Sequence, residues 1–271
     1  MVKPFKFSFA VSVSMTNFEA IGRGDWKSIA NSLASMGYDG VELAVRDTDE
    51  VSETSIREVL DSNSLSLPAI GTGQAFLSDN LYLSSEDLLV REAAVSRVLR
   101  HMKLAGAFGA SVVIGLIRGG VVKASELQRR RKLFTETLSR LCKKAESMSV
   151  NILIEPINRY ETSMFPTIGS AAGLIKEIGS NRIKILMDTF HMNIEEADMY
   201  ETIEQYGAMV GHVHLADSNR LAPGMGHIDF HRILESLKNV GYKGFLSFEI
   251  LPVPSVEQAA SDAITYIMNQ F

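Results

Sequence analysis

The sequence predicts a single α/β domain over residues 1–271, a (β/α)8 TIM barrel, and three observations carry that prediction. Short apolar runs rich in Val, Ile and Leu alternate with amphipathic stretches from end to end. The alternation repeats eight times without a linker or a break in composition, as a closed barrel requires. No glycine-rich phosphate fingerprint follows the first run, which weighs against a doubly wound sheet.

In chain order, the strand-like run 7–13 precedes the helical stretch 26–37, 40–45 precedes 52–63, and 66–71 precedes 86–109. Next, 111–117 is followed by 125–149 and 150–155 by 168–179. The run 183–188 leads into a weaker, shorter helical segment over 195–207, 210–216 into 229–240, and 244–250 into 255–269. Runs this continuous are buried on both faces, as in parallel sheets. Gly37, Gly109, Gly179, Gly207 and Gly241 stand at helix-to-strand joints, where glycine commonly closes a helix.

Composition narrows the function. The chain is 46% hydrophobic and 22% charged, with a net charge of −5 and scattered Lys and Arg, which argues against a nucleic-acid partner. The basic run Arg129-Arg130-Arg131-Lys132 lies inside a helical pattern and reads as a solvated helix face. The single cysteine, Cys142, falls in the apolar stripe of that helix and has no partner for an internal disulfide, which fits a cytoplasmic location. The N-terminal segment alternates like a strand and lacks the features of a signal peptide. No stretch approaches the roughly 18 apolar residues that read as a membrane span.

The chemistry sits at the ends of four successive runs. Glu155, Asp188, His214 and Glu249 close, or nearly close, NILIE, IKILMD, VGHVH and GFLSFE. An acidic residue at one strand end is ordinarily a cap or a salt-bridge partner. Three carboxylates and an imidazole at four ends of one sheet edge instead suit a single hard or borderline divalent cation. Residues two apart in a strand share a face, so His212 points the same way as His214 but one layer deeper, as packing or support.

The spacings of 33, 26 and 35 residues between these four, with the words EPINRYET, MDTFHMNIEE, HLADSNRLAPGMGHIDF and FLSFEI around them, resemble the D-tagatose 3-epimerase family of ketose 3-epimerases, within the wider xylose-isomerase-like barrel superfamily. The resemblance covers the whole chain and is strongest in its C-terminal half. It implies that Glu155, Asp188, His214 and Glu249 hold one metal ion, Mn²⁺ or alternatively Co²⁺ or Mg²⁺. It implies that Glu155 and Glu249 act as the acid/base pair, and that Glu161, His191 and Arg220 hold the carbonyl-end hydroxyls of the substrate. Read without it, Glu161 is a partner for Arg159, His191 a helix cap and Arg220 a surface residue. The family also implies a homodimer or homotetramer.

The chemistry expected is inversion of a carbon next to a ketone. A proton leaves one face, an enediolate forms, and a proton returns on the other, with two carboxylates as base and acid and a Lewis acid at the flanking oxygens. The long joints Gly71–Phe76 and Asp217–His227 fall on the face where barrel enzymes keep their sites, which brings Gln74 towards the substrate. The words IGTGQA and IGLIRG look more like the 5-keto-L-gluconate epimerase branch that yields D-tagaturonate than like epimerases of D-tagatose or D-psicose. On that reading Arg118 would pair with a substrate carboxylate; on the plainer one it caps a helix or makes a surface pair. The runner-up activity is aldose–ketose isomerisation of hydroxypyruvate or inosose type. An endonuclease would require more metal ligands and a basic face, and a non-catalytic sugar-binding protein would have no use for paired carboxylates around a metal.

Overall fold

A computed structural model describes residues 4–271. Eight parallel strands close into a barrel in sequence order: β1 (Lys6–Ser12), β2 (Gly40–Ala44), β3 (Ala69–Gly71), β4 (Ser111–Ile114), β5 (Ile152–Ile154), β6 (Ile183–Asp188), β7 (Val210–Leu215) and β8 (Phe245–Phe248). Each matches one of the expected runs and is shorter than or equal to it. The run expected over 111–117 ends at Ile114, because Gly115 leaves strand geometry and Leu116–Arg118 forms a 3-10 turn.

The main helices sit between the strands where the periodicity places them. They are α1 (Trp26–Ser35), α2 (Glu53–Asn63), α4 (Leu88–Gly106), α5 (Ala124–Met148), α6 (Ile168–Ile178), α8 (Met199–Tyr206), α9 (Phe230–Asn239) and α10 (Val256–Met268). Two seven-residue helices, α3 (Gly73–Asp79) and α7 (Thr189–Glu195), fall in the loops after β3 and β6. They are too short to display a period, and α7 begins where the Asp188 carboxylate accepts from the backbone N–H of Phe190.

Side-chain caps explain where several of the longer helices begin. Asp25, Ser52, Asp87, Asp198, Asp229 and Ser255 each accept a backbone N–H of the first turn, and Thr167 with Ser170 forms a reciprocal capping box. Of the five glycines expected to close helices, Gly37, Gly109, Gly179 and Gly241 have positive φ. Gly207 does not. Its φ is −53°, and it is small for a different reason: a Cβ there would lie 2.5 Å from Val240.

Two apolar regions result. A large one fills the space between the barrel and its helices, and a small one, Ala69, Val113, Leu153 and Leu186, fills the barrel interior on the β3–β6 side. The basic run of α5 is held within the molecule: Arg129 pairs with Glu86, Arg130 donates to the Ser84 carbonyl, and Arg131 lies over the Phe165 ring. Cys142 is buried, and desolvation pushes its thiol up to about 12. Among the described residues no helix is long and apolar enough to cross a membrane.

Candidate active site

Glu155, Asp188, His214 and Glu249 converge at the carboxyl edge of β5–β8. One ligand atom from each lies within 4.8 Å of the others. A register irregularity between Ile185 and Leu186 brings Asp188 directly opposite His214 on the neighbouring strand. His214 Nδ1 stands 3.6 Å from Glu155 Oε1, 3.8 Å from Asp188 Oδ2 and 3.6 Å from Glu249 Oε2, and it has no hydrogen-bond partner although the ring is buried. A buried polar atom without a partner is costly, and here it faces three carboxylate oxygens. This donor set, one nitrogen and three carboxylates, fits a divalent cation of the Mn²⁺, Co²⁺ or Mg²⁺ type.

The electrostatics follow from crowding acidic groups in a dry place. Burial, reinforced by the Glu249 and Asp188 carboxylates, pushes the Glu155 carboxyl up to about 7, despite its contact with His214. Burial acts in the same direction on Asp188, but the Arg220 guanidinium together with His191 and His214 outweighs it and holds that carboxyl below its ordinary value. Gly115 presses against Glu155, since a Cβ at that position would come within 2.5 Å of Glu155 Oε2.

Arg220 is not a surface residue. It is 8% exposed, donates to Asp188 Oδ2 at 2.5 Å and to Glu249 Oε2, and lies over the Phe190 ring. Its backbone, at φ +64°, is held by a bond to the Asp217 carbonyl and by the N–H of Leu251. Asp217 in turn gathers the backbone N–H groups of Ser218, Gly224 and Ile228, folding the long loop after β7 inward. His191 lies within α7 rather than at its end. Glu161 does not pair with Arg159, which instead holds Glu195.

Two residues that the sequence reading did not single out for the site organise it. Asn158 Nδ2 lies 2.7 Å from Glu161 Oε1 and 2.9 Å from His191 Nδ1, so one amide orients both side chains. Because that amide donates, His191 Nδ1 accepts and its proton sits on Nε2. Burial lowers His191 to about 3, so the ring is neutral. The other is Glu42, in the middle of β2, which meets His212 and His214 from below. Its signal was legible: an acid within GVELAV, a run otherwise suited to complete burial.

A cleft opens beside the converging groups. Ala10, Ala44, Gly71 and Gly115 leave room in it, Phe18, Ile21, Leu116 and Ile157 form apolar walls, and Glu161 and His191 reach its lining. Gln74 also lines it, anchored through Nε2 to Ser12 Oγ, while its buried Oε1 has no partner. Arg118 departs from the carboxylate-pairing expectation. It is fully buried, with Nε, Nη1 and Nη2 donating to the carbonyls of Gly115, Met164 and Ile114, and it does not line the cleft. The turn that carries it closes back on its own strand, so the guanidinium staples the β4 and β5 loops together.

Fold and site together define an enzyme of the barrel class, with its donors at the carboxyl edge of the strands. The chain matches the model of the Xylose isomerase-like TIM barrel family over residues 17–269, and it belongs to that family. It is 30% identical to a D-psicose 3-epimerase of Agrobacterium fabrum, over 80% of this chain and 76% of that one. It is 29% identical to a 3-dehydro-D-guloside 4-epimerase of Escherichia coli, over 80% and 84% of the two chains. Its fold superposes on a D-allulose 3-epimerase from Methylomonas sp., solved in complex with D-allulose, with a TM-score of 0.83, 22% identity and coverage of 100% and 99%. With such relatives, the protein is a carbohydrate epimerase or isomerase.

Proposed function

We propose that the protein inverts C3 of an uncharged ketose. The observation that carries this reading is the orphaned Nδ1 of His214, facing three carboxylates beside a cleft whose lining, among the described residues, contains no Lys or Arg. A substrate carboxylate or phosphate would enter a cleft lined by Glu42, Glu155, Glu161 and Glu249, with the nearby Arg220 guanidinium already paired to Asp188 and Glu249. Neutral hydroxyls suit it better: the free Oε1 of Gln74 accepts one, and the apolar walls take the carbon face of the sugar.

Glu155, Asp188, His214 and Glu249 would hold one divalent cation, with Mn²⁺ first and Co²⁺ or Mg²⁺ as alternatives. When bound, it supplies Lewis acidity at the oxygens flanking the reacting carbon. Of Glu155 and Glu249, one carboxylate takes the C3 proton and the other returns a proton to the opposite face. His191 offers its Nε2–H and Arg220 its charge where negative charge builds on the substrate oxygens, and Glu161 orients a hydroxyl.

The test is incubation of the Mn²⁺-loaded protein with ketoses and keto-hexonates in D₂O, followed by proton NMR of the separated sugars. Deuterium at C3 together with the C3 epimer, fastest for a neutral ketose, is the expected result. Deuterium at C1 with an aldose product would replace the epimerase with an isomerase. Faster turnover of a keto-hexonate would overturn the uncharged substrate.

A further inference from the structure

We propose that Glu42 is a positioning residue that presents His214 as a metal ligand. This inference rests on the metal-binding reading above. Glu42 lies in β2, on the far side of the barrel from the strands that carry the four converging groups, and its side chain crosses the interior. Its carboxylate sits 2.8 Å from His212 Nε2 and 3.0 and 3.1 Å from His214 Nε2. The three side chains are 3%, 2% and 1% exposed.

A carboxylate only accepts, so each ring nitrogen that faces it carries a proton. A cation that displaces the proton of Nδ1, while Glu42 keeps the one on Nε2, would meet a lone pair on the atom that faces Glu155, Asp188 and Glu249. Without the acceptor below, nothing in the site would select this tautomer. Histidine ligands ordinarily depend on a carboxylate or carbonyl at the other ring nitrogen in this way.

His212 completes the device. It lies two residues from His214 on the same strand face, with ring centroids 5.4 Å apart and planes at 81°. Its Nε2–H holds the Glu42 carboxylate from a second direction. Between the two rings both Glu42 oxygens are hydrogen-bonded, which compensates their burial. A buried acid is retained here because both oxygens have work to do, not because the barrel interior favours charge.

The experiment is titration of the metal-free protein with Co²⁺, followed by visible absorption, for the wild type and for Glu42→Gln. Glutamine keeps the shape but offers one acceptor oxygen in place of two, and its amide N–H groups confront a ring N–H. We expect affinity for Co²⁺ to fall about 10–100-fold, while far-UV circular dichroism is unchanged. Proton NMR of the Co²⁺-loaded wild type supplies a readout that needs no variant. It should contain one hyperfine-shifted, slowly exchanging N–H, from His214 Nε2, and its exchange should accelerate in Glu42→Gln.

Affinity within twofold of wild type in a folded Glu42→Gln protein would overturn the proposal and leave the metal site standing. So would the absence of a shifted, exchangeable N–H in the Co²⁺-loaded wild type. Failure of the wild type to bind Co²⁺ at all would remove the metal reading and this inference with it.

Discussion

The two halves of the barrel do different jobs at the same edge. Strands β5–β8 end in or beside Glu155, Asp188, His214 and Glu249, all ionisable, while β1–β4 bring Ala10, Ala44, Gly71 and Gly115 to the same cleft, which contribute almost nothing but room. One half concentrates negative charge; the other makes the space in which a substrate meets it. From the first half, Glu42 reaches across the barrel interior to His212 and His214. A site of this kind therefore depends as much on what is missing from four strand ends as on what is present at the other four.

The largest effect should come from removing charge on the second half. Glu155→Gln or Glu249→Gln should lower kcat by about 10²–10⁴-fold while leaving circular dichroism unchanged, because each takes away a proton-transferring carboxylate. Full activity in either variant would end the two-carboxylate mechanism. Adding a single methyl to the first half should come next. Gly115→Ala drives a Cβ into Glu155 Oε2, and displacing that carboxylate by about 1 Å should cost on the order of 10²-fold in kcat/KM. Steady-state kinetics would reveal whether the spacious half matters only for binding, in which case KM alone would rise.

A milder change tests the crowding of charge. Since the Glu155 carboxyl is raised from the ordinary carboxylate range to about 7, it is protonated below that pH and must lose its proton as a cation enters. Affinity for Mn²⁺ should fall by at least about tenfold per pH unit below pH 7, because the proton on Glu155 and the one that the surrounding carboxylates hold on His214 must both leave, as measured by calorimetry at several pH values. A flat profile between pH 5 and 7 would mean that Glu155 is not a ligand.

Arg118→Met should have the smallest effect on chemistry and a clear one on stability. It removes three hydrogen bonds to buried carbonyls; those of Gly115 and Ile114 keep backbone donors, while that of Met164 loses its donor at a cost of about 1–3 kcal/mol, so the melting temperature should drop. The ratio of kcat/KM for keto acids to that for neutral ketoses should not change. A selective loss on keto acids would return Arg118 to the substrate.

The sequence by itself determined the eight strands, the main helices and the convergence of Glu155, Asp188, His214 and Glu249. Each is a local signal: periodicity over a few residues, or an ionisable group at the end of an apolar run, and parallel strands place all such ends on one edge. What only the tertiary structure decided has no local signature. Helices α3 and α7, at seven residues each, are shorter than the window over which a helical period can be recognised. Arg118 was legible as a cation beside the cleft, yet the turn it sits in aims all its donors at carbonyls, one of them on a residue 46 positions away. Glu42 was visible as an acid in a strand, but its partners lie 170 and 172 residues further on. Whether a buried charge is a liability, a staple or a positioning group depends on which partner the closed barrel brings to it, and closure joins residues that no window along the chain contains.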